Sequence, residues 1–156
     1  MRLEELVVYQ TANELSDKIW KLINTWEAFS KETIGKELIL AADCIATNIA
    51  VGFGRYSQKE SKSYGYNARG SLFETKTWLT KASLRNLISD DDLNLLMTEI
   101  EAYEIKLNNY IKSIGRNISS NSNSRHKSYG SGSSSQSYNR NSDIDTKTYT
   151  TSFDEE

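Results

Sequence analysis

The chain has 156 residues, a formal net charge of −2, no proline and one cysteine, Cys44. A chain of this length forms one domain with a modest core, and its weakly acidic balance excludes the strongly basic class of nucleic-acid binders. The single cysteine excludes an internal disulfide and favours a reducing compartment, and no segment reaches the roughly 18 apolar residues of a membrane span, so we expect a cytoplasmic protein with no membrane partner.

Apolar residues recur at helical spacing in four successive segments, which predicts four long helices. The predicted helices run from about Leu6 to Trp26, Lys31 to Val51, Gln58 to Ile88 and Asp90 to Ile114. Because the joints between them are short, consecutive helices should run antiparallel. The fold class predicted for residues 1–116 is all-α, an up-down-up-down four-helix bundle.

The second joint, NIAVGFGRYSQKE at residues 48–60, contains two glycines. A phosphate-binding loop would need a preceding strand and either a third glycine or a lysine-serine pair, and this joint has none of them. Gly52 or Gly54 is therefore interpreted as a left-handed end of the second helix. Ser57 and Glu60 match a capping box that begins the third helix.

Three adjacent aspartates follow Ser89 in the third joint, SDDDL at residues 89–93. They are compatible with a metal site, but serine and aspartate are also what a helix N-terminus prefers, because the helix dipole favours anions there. We interpret them as the start of the fourth helix and predict no metal site.

Catalytic side-chain combinations are scarce in this sequence. The only histidine, His126, lies beyond the helices, which removes the paired Glu-x-x-His of a di-iron bundle and a histidine-activated nucleophile. Cys44 has no second cysteine with which to hold zinc. We predict no catalytic residue, no cofactor and no enzymatic activity.

The segment 117–156 is dominated by serine, asparagine and threonine. Such a composition cannot bury enough apolar surface to offset its ordering entropy, so we predict a disordered C-terminal tail. Tyr129, Tyr138 and Tyr149 are scattered along it, either as solvated residues or as contacts for a partner.

Two predicted helices carry apolar residues on the side opposite their core face as well. With about 100° of rotation per residue, these outer residues form one stripe on each helix. Since a bundle supplies one burial partner, the second partner is predicted to be another copy of the chain; the alternative is isolated surface apolar residues, which are normal. The predicted interface residues are Leu40, Cys44, Thr47 and Val51 on the second helix, and Tyr66, Gly70, Phe73, Thr77 and Leu84 on the third.

Basic and aromatic residues cluster after the second helix. Repeated around a ring of copies they would form a positive girdle, and an exposed tyrosine there can stack on a base. The alternative is that these residues are solvated or pair with Glu60 and Glu74. The candidate residues for contact with nucleic acid are Arg55, Tyr56, Lys59, Lys62 and Arg69.

Three motifs, LVVYQTANEL, NIAVGFGR and ARGSLFE, resemble the bacterial four-helix bundle family encoded in 23S ribosomal RNA intervening sequences. The resemblance covers about Leu6 to Ile114. It implies a homopentameric barrel without assigned catalytic residues. The chain is also similar to the accessory proteins of diversity-generating retroelements, which form pentamers and associate with a reverse transcriptase and nucleic acid. Val51 stands where the family usually has glutamate and Ala46 where it often has proline, so no role for an acidic residue is carried over there.

Two functions therefore stay open. One is an RNA-associated accessory protein of a ribosomal RNA intervening sequence or a retroelement. The other is a scaffold that binds a protein partner without touching nucleic acid.

Overall fold

The computed structural model describes residues 2–122, and the side chains of residues 2–114. Within this range the chain forms four long helices and no strand. A short 3-10 turn, Leu3–Glu5, precedes the first of them. The helices are α1 (Val7–Asn24), α2 (Ala28–Ser30, the π-helical turn Lys31–Gly35, and Lys36–Phe53), α3 (Gln58–Leu84) and α4 (Asp90–Ser122).

Each helix packs on its neighbour in the chain, and α4 closes the bundle against α1. Contacts between α3 and α4 show their opposite directions, because Lys76 pairs with Glu104 while Arg69, closer to the start of α3, bonds to Asn108 further along α4. The predicted all-α four-helix bundle is confirmed. None of the helices between residues 2 and 122 is long and apolar enough to cross a membrane.

The core lies along the predicted apolar faces of the four helices. On α2 six apolar residues that recur at helical spacing are buried: Ile34, Leu38, Ala41, Ala42, Ile45 and Ile49. The one large polar side chain in the centre is Tyr103 of α4, whose hydroxyl donates to the backbone carbonyl of Val8 at 3.1 Å. This bond satisfies the polar end of a ring that is otherwise in apolar surroundings.

Gly52 allows α2 and α3 to approach closely. A Cβ at Gly52 would stand 3.0 Å from the Cβ of Tyr64 and 3.1 Å from the backbone oxygen of Ser61. The predicted left-handed helix end is wrong, because Gly54 ends α2 with a right-handed φ of −76°. The predicted capping box is wrong as well, since the side chain of Ser57 makes no capping hydrogen bond in the described structure.

The end of α3 is set by Asn86, which adopts a left-handed φ of 58°. The backbone N–H of Asn86 donates to Ser83 and that of Leu87 to Ala82, both at 2.9 Å. This paired arrangement is the Schellman helix end. It ends α3 at Leu84, before the predicted limit at Ile88.

The interpretation of the aspartates as a helix start agrees with the structure. The Ser89 hydroxyl accepts a hydrogen bond from the backbone N–H of Asp92 at 3.1 Å and donates to the Asp92 carboxylate at 2.7 Å. Asp90, Asp91 and Asp92 all lie in the first turn of α4, where the helix dipole favours negative charge.

The fourth helix continues past Arg116, where the sequence predicts the bundle to end, as far as Ser122. The rest of the predicted tail, residues 123–156 with His126 and the three candidate tyrosines Tyr129, Tyr138 and Tyr149, lies outside the described residues.

Candidate functional site

The outward faces of α2 and α3 carry all nine predicted interface residues, and every one of them is exposed in the isolated chain. We call the two rows the α2 stripe and the α3 stripe. The α2 stripe consists of Leu40, Cys44, Thr47 and Val51; the α3 stripe consists of Tyr66, Gly70, Phe73, Thr77 and Leu84.

The α2 stripe consists of two aliphatic side chains with smaller side chains between them. Leu40 is 49% exposed and Val51 is 40% exposed, while the smaller Cys44 and Thr47 lie between them. The Thr47 hydroxyl donates to the backbone carbonyl of Asp43 at 2.7 Å. Because that bond satisfies the hydroxyl within the helix, the methyl group is what Thr47 offers to a neighbour.

The α3 stripe contains an open notch at Gly70. A Cβ placed there would meet no heavy atom within 4 Å. Exposed Tyr66 and Phe73 stand one turn before and one turn after it, and Glu104 of α4 lines the same shallow depression. The notch is therefore a small concave site between two aromatic rings.

Cations lie over both aromatic rings. The Arg69 guanidinium is 5.3 Å from the centroid of the Tyr66 ring, and the Lys76 ammonium is 5.2 Å from that of the Phe73 ring. These are cation–π distances. In each pair the cation follows the aromatic residue by three positions, which places both on one helix face. This spacing is a sequence signal that the sequence analysis missed.

A polar seam separates the two stripes. The Asn48 side-chain amide of α2 donates to the backbone carbonyl of Cys44 at 2.7 Å and lies 3.5 Å from the Ser71 hydroxyl of α3. The stripes thus flank one hydrogen-bonded line between adjacent helices, and together they form one continuous side of the bundle.

The joint between α2 and α3 carries the second group of candidate residues. The Arg55 guanidinium donates to the Tyr64 hydroxyl at 2.9 Å and lies 5.0 Å from the centroid of the same ring. The neighbouring Tyr56 is fully exposed, Lys59 is exposed and Lys62 is half-buried. We call Arg55, Tyr56, Lys59 and Lys62 the basic joint.

Arg69 lies apart from the basic joint. It follows Lys62 by seven residues, which is about 10 Å along a helix. Its guanidinium is 3.4 Å from the side-chain oxygen of Asn108 on α4 and lies over Tyr66. The structure therefore places Arg69 at the notch of the α3 stripe.

The carboxylates near the basic joint make no direct ion pair with it. The ion pairs between residues 2 and 114 are Arg2–Glu5, Lys18–Glu99 and Lys76–Glu104, so within that range neither Glu60 nor Glu74 is paired with a basic side chain. Arg55 and Lys59 are exposed, with the Arg55 guanidinium held against Tyr64.

Two tyrosines, Tyr103 and Tyr110, are the titratable residues that pack inside the bundle with shifted pKa values. Burial raises the pKa of Tyr103 and of Tyr110 above the ordinary tyrosine value, so both phenols stay neutral. Among the described residues no three His, Cys, Asp or Glu side chains are grouped so that they could hold a metal ion.

A family model described as 23S rRNA-intervening sequence protein matches residues 4–109. The match extends from the first turn to α4 and covers more than half of the chain, so the chain belongs to this family. No curated protein matches it.

Proposed function

We propose that this member of the 23S rRNA-intervening sequence protein family is a non-enzymatic, homo-oligomeric helical bundle that associates with RNA. It acts as an accessory protein of a ribosomal RNA intervening sequence or a retroelement, and a reverse transcriptase is a further partner in the second case. The observation that carries the proposal is the basic joint, where Arg55 and Lys59 are exposed, make no ion pair with a side chain of residues 2–114 and lie close in sequence to the fully exposed Tyr56.

Self-association is supported by the two stripes. They place Leu40, Val51, Tyr66 and Phe73 on one continuous side of the bundle, each between 40% and 49% exposed. Apolar residues grouped in this way mark an interaction surface more often than isolated ones do. The family resemblance implies five copies.

Self-association also explains how a chain of net charge −2 binds RNA. Each copy brings its own basic joint to the assembly, so local positive charge is multiplied although every subunit is slightly acidic. Phosphate contacts are independent of sequence, and Tyr56 adds a ring on which any base can stack. We expect weak binding without base specificity.

The test is a titration of purified protein into a structured RNA at several salt concentrations, followed by fluorescence anisotropy. Binding should weaken steeply as salt rises, since each phosphate contact releases about one counterion. The double variant Arg55→Glu, Lys59→Glu should bind much more weakly and with a smaller salt dependence. The matched control Lys21→Glu, Lys106→Glu makes the same charge change at exposed positions of α1 and α4 and should bind better than the joint variant.

No binding at low salt, or equal binding by the joint variant and its control, would refute RNA association through the basic joint. It would favour the second candidate function, a scaffold that binds a protein partner. Phe29 and Leu84 support that candidate, because they are 78% and 79% exposed at the end of the bundle opposite the basic joint. Phe29 also lines a surface depression together with Ile34 and Leu87.

We propose the cytoplasm as the place of action. The free Cys44 thiol is exposed on the α2 stripe, and an exposed thiol suits a reducing compartment.

A further inference from the structure

We propose that the α2 stripe of one copy packs against the α3 stripe of another copy, so that each contact in the assembly joins two different surfaces. The inference rests on the homo-oligomer of the proposed function and specifies which faces meet. In this arrangement the aliphatic side chains of α2 from a second copy of this chain occupy the notch of the α3 stripe.

Charge supports this pairing. The second helix carries three acidic residues, Glu32, Glu37 and Asp43, against Lys31 and Lys36, a net charge of −1. The third helix has the opposite balance, with two acidic residues against Lys59, Lys62, Arg69, Lys76 and Lys81. A contact of α3 with α3 would bring two positively charged helices together. The mixed contact joins a helix with an excess of acidic residues to one with an excess of basic residues, and complementary charge is what selects partners.

Shape supports the same pairing. The α3 stripe has an open notch at Gly70 between Tyr66 and Phe73. The α2 stripe has projecting aliphatic side chains, Leu40 and Val51, around smaller residues. Two α3 stripes would leave their notches facing each other, whereas an aliphatic side chain from α2 fills a notch. Filling it removes apolar surface from water on both sides, which is the main source of binding free energy.

The pairing divides the candidate basic residues between two roles. Arg69 and Lys76 lie over the rings of the α3 stripe and so border the contact between copies. Arg55 and Tyr56 lie in the joint beyond the stripe and stay available to RNA. Contacts between unlike surfaces produce a closed ring when the successive rotations from copy to copy add up to a full turn.

The native Cys44 provides the experiment, because it is the only cysteine and lies in the middle of the α2 stripe. One chain keeps Cys44. A second chain, with a different tag, carries Cys44→Ser and Thr77→Cys, which moves the thiol to the exposed α3 stripe without adding bulk at the notch. The two chains are co-expressed, purified through both tags and treated with a short bis-maleimide that bridges nearby thiols. A second chain with Cys44→Ser and Ala102→Cys places the thiol on exposed α4 instead and serves as the matched control.

The expected result is a cross-linked pair of unlike chains on a denaturing gel, in several-fold higher yield than with the Ala102→Cys control. Each chain expressed alone should cross-link poorly to itself. Efficient cross-linking of the Cys44 chain with itself, or of the Thr77→Cys chain with itself, would overturn the pairing, and so would a mixed yield no higher than the control. Native mass spectrometry without cross-linker keeps the two proposals distinguishable: a multimeric mass with like-to-like cross-links refutes only the pairing, and a monomeric mass refutes self-association and the pairing together.

Discussion

The close approach of α3 to α4 at Gly65 predicts that Gly65→Ala destabilises the bundle, although alanine is the better helix former. A Cβ at Gly65 would stand 2.8 Å from Cγ1 of Ile111, a core side chain that is 3% exposed. Gly70 on the same helix is the matched control, because a Cβ there would meet no heavy atom of its own chain within 4 Å. Since Gly70 lies in the notch of the proposed contact, both substitutions are made in the Leu40→Asp chain, which is expected not to assemble. The two substitutions make the same chemical change in different surroundings.

The magnitudes follow from two opposing effects. Replacing glycine by alanine inside a helix gains about 1 kcal/mol, and forcing an extra methyl group into a packed core costs about 1–3 kcal/mol. Gly70→Ala should therefore raise the unfolding free energy by up to about 1 kcal/mol. Gly65→Ala should lower it by up to about 2 kcal/mol, so that the two variants differ by about 1–3 kcal/mol.

The measurement is urea unfolding followed by circular dichroism. It is made at one fixed protein concentration, because the stability of an oligomer depends on concentration, and the mass of each variant is checked beforehand. In an Ile111→Ala background the obstructing Cγ1 is gone, so Gly65→Ala should become stabilising there. Equal stabilisation by Gly65→Ala and Gly70→Ala in the Leu40→Asp chain with Ile111 intact would show that α3 and α4 do not approach closely at Gly65.

Two further predictions concern the outer surface and the core. Leu40→Asp or Phe73→Asp would bury an unpaired charge at the proposed contact, at a cost of about 3–5 kcal/mol, so light scattering should report smaller particles with helicity retained; Ile105→Asp, on exposed α4, should keep the mass, and stripe variants of unchanged mass would place the interface elsewhere. Tyr103→Phe removes the bond to the Val8 carbonyl, which still accepts within α1, and should lower stability at neutral pH by about 0.5–1.5 kcal/mol. Because burial raises the Tyr103 pKa, only the unfolded chain ionises this phenol as the pH passes about 10, so the wild type should lose more stability than Tyr103→Phe above that pH. Identical pH profiles for the two proteins would contradict that account.

The four helices could be predicted because the apolar periodicity is a local property of the sequence. On α2, Leu38, Ile45 and Ile49 recur at the helical period and all three are buried. The start of α4 could also be predicted, since Ser89 bonds to Asp92 only three residues away. Such local signals are not sufficient everywhere, since Ser57 and Glu60 have the same three-residue spacing and the side chain of Ser57 makes no capping hydrogen bond.

Features that depend on distant partners could not be predicted. The close contact at Gly52 depends on Tyr64, which lies on the next helix, so the glycine could equally have been a helix end. The end of α3 could not be predicted for a different, local reason: Asn86 adopts a left-handed backbone that non-glycine residues seldom take, and the buried Ile88 continues the apolar pattern beyond it. The position of Arg69 next to Asn108 of α4 depends on how α3 and α4 pack, which the sequence alone does not show.

In the proposed assembly, one outward face of the third helix carries both the contact between copies and a row of basic side chains. Arg69 and Lys76 lie over Tyr66 and Phe73, so their charges border the α3 stripe without covering the open notch at Gly70. A partner surface that fills this notch with an aliphatic side chain gains apolar burial, and one that also brings carboxylates meets the two cations at its edge. The α2 stripe supplies the aliphatic side chains, and α2 as a whole carries three acidic residues against two basic ones, whereas α3 carries an excess of basic residues. In the proposed assembly, filling the notch contributes apolar burial, and the difference in charge between the two helices favours the α2 stripe over a second α3 stripe as the surface that enters it.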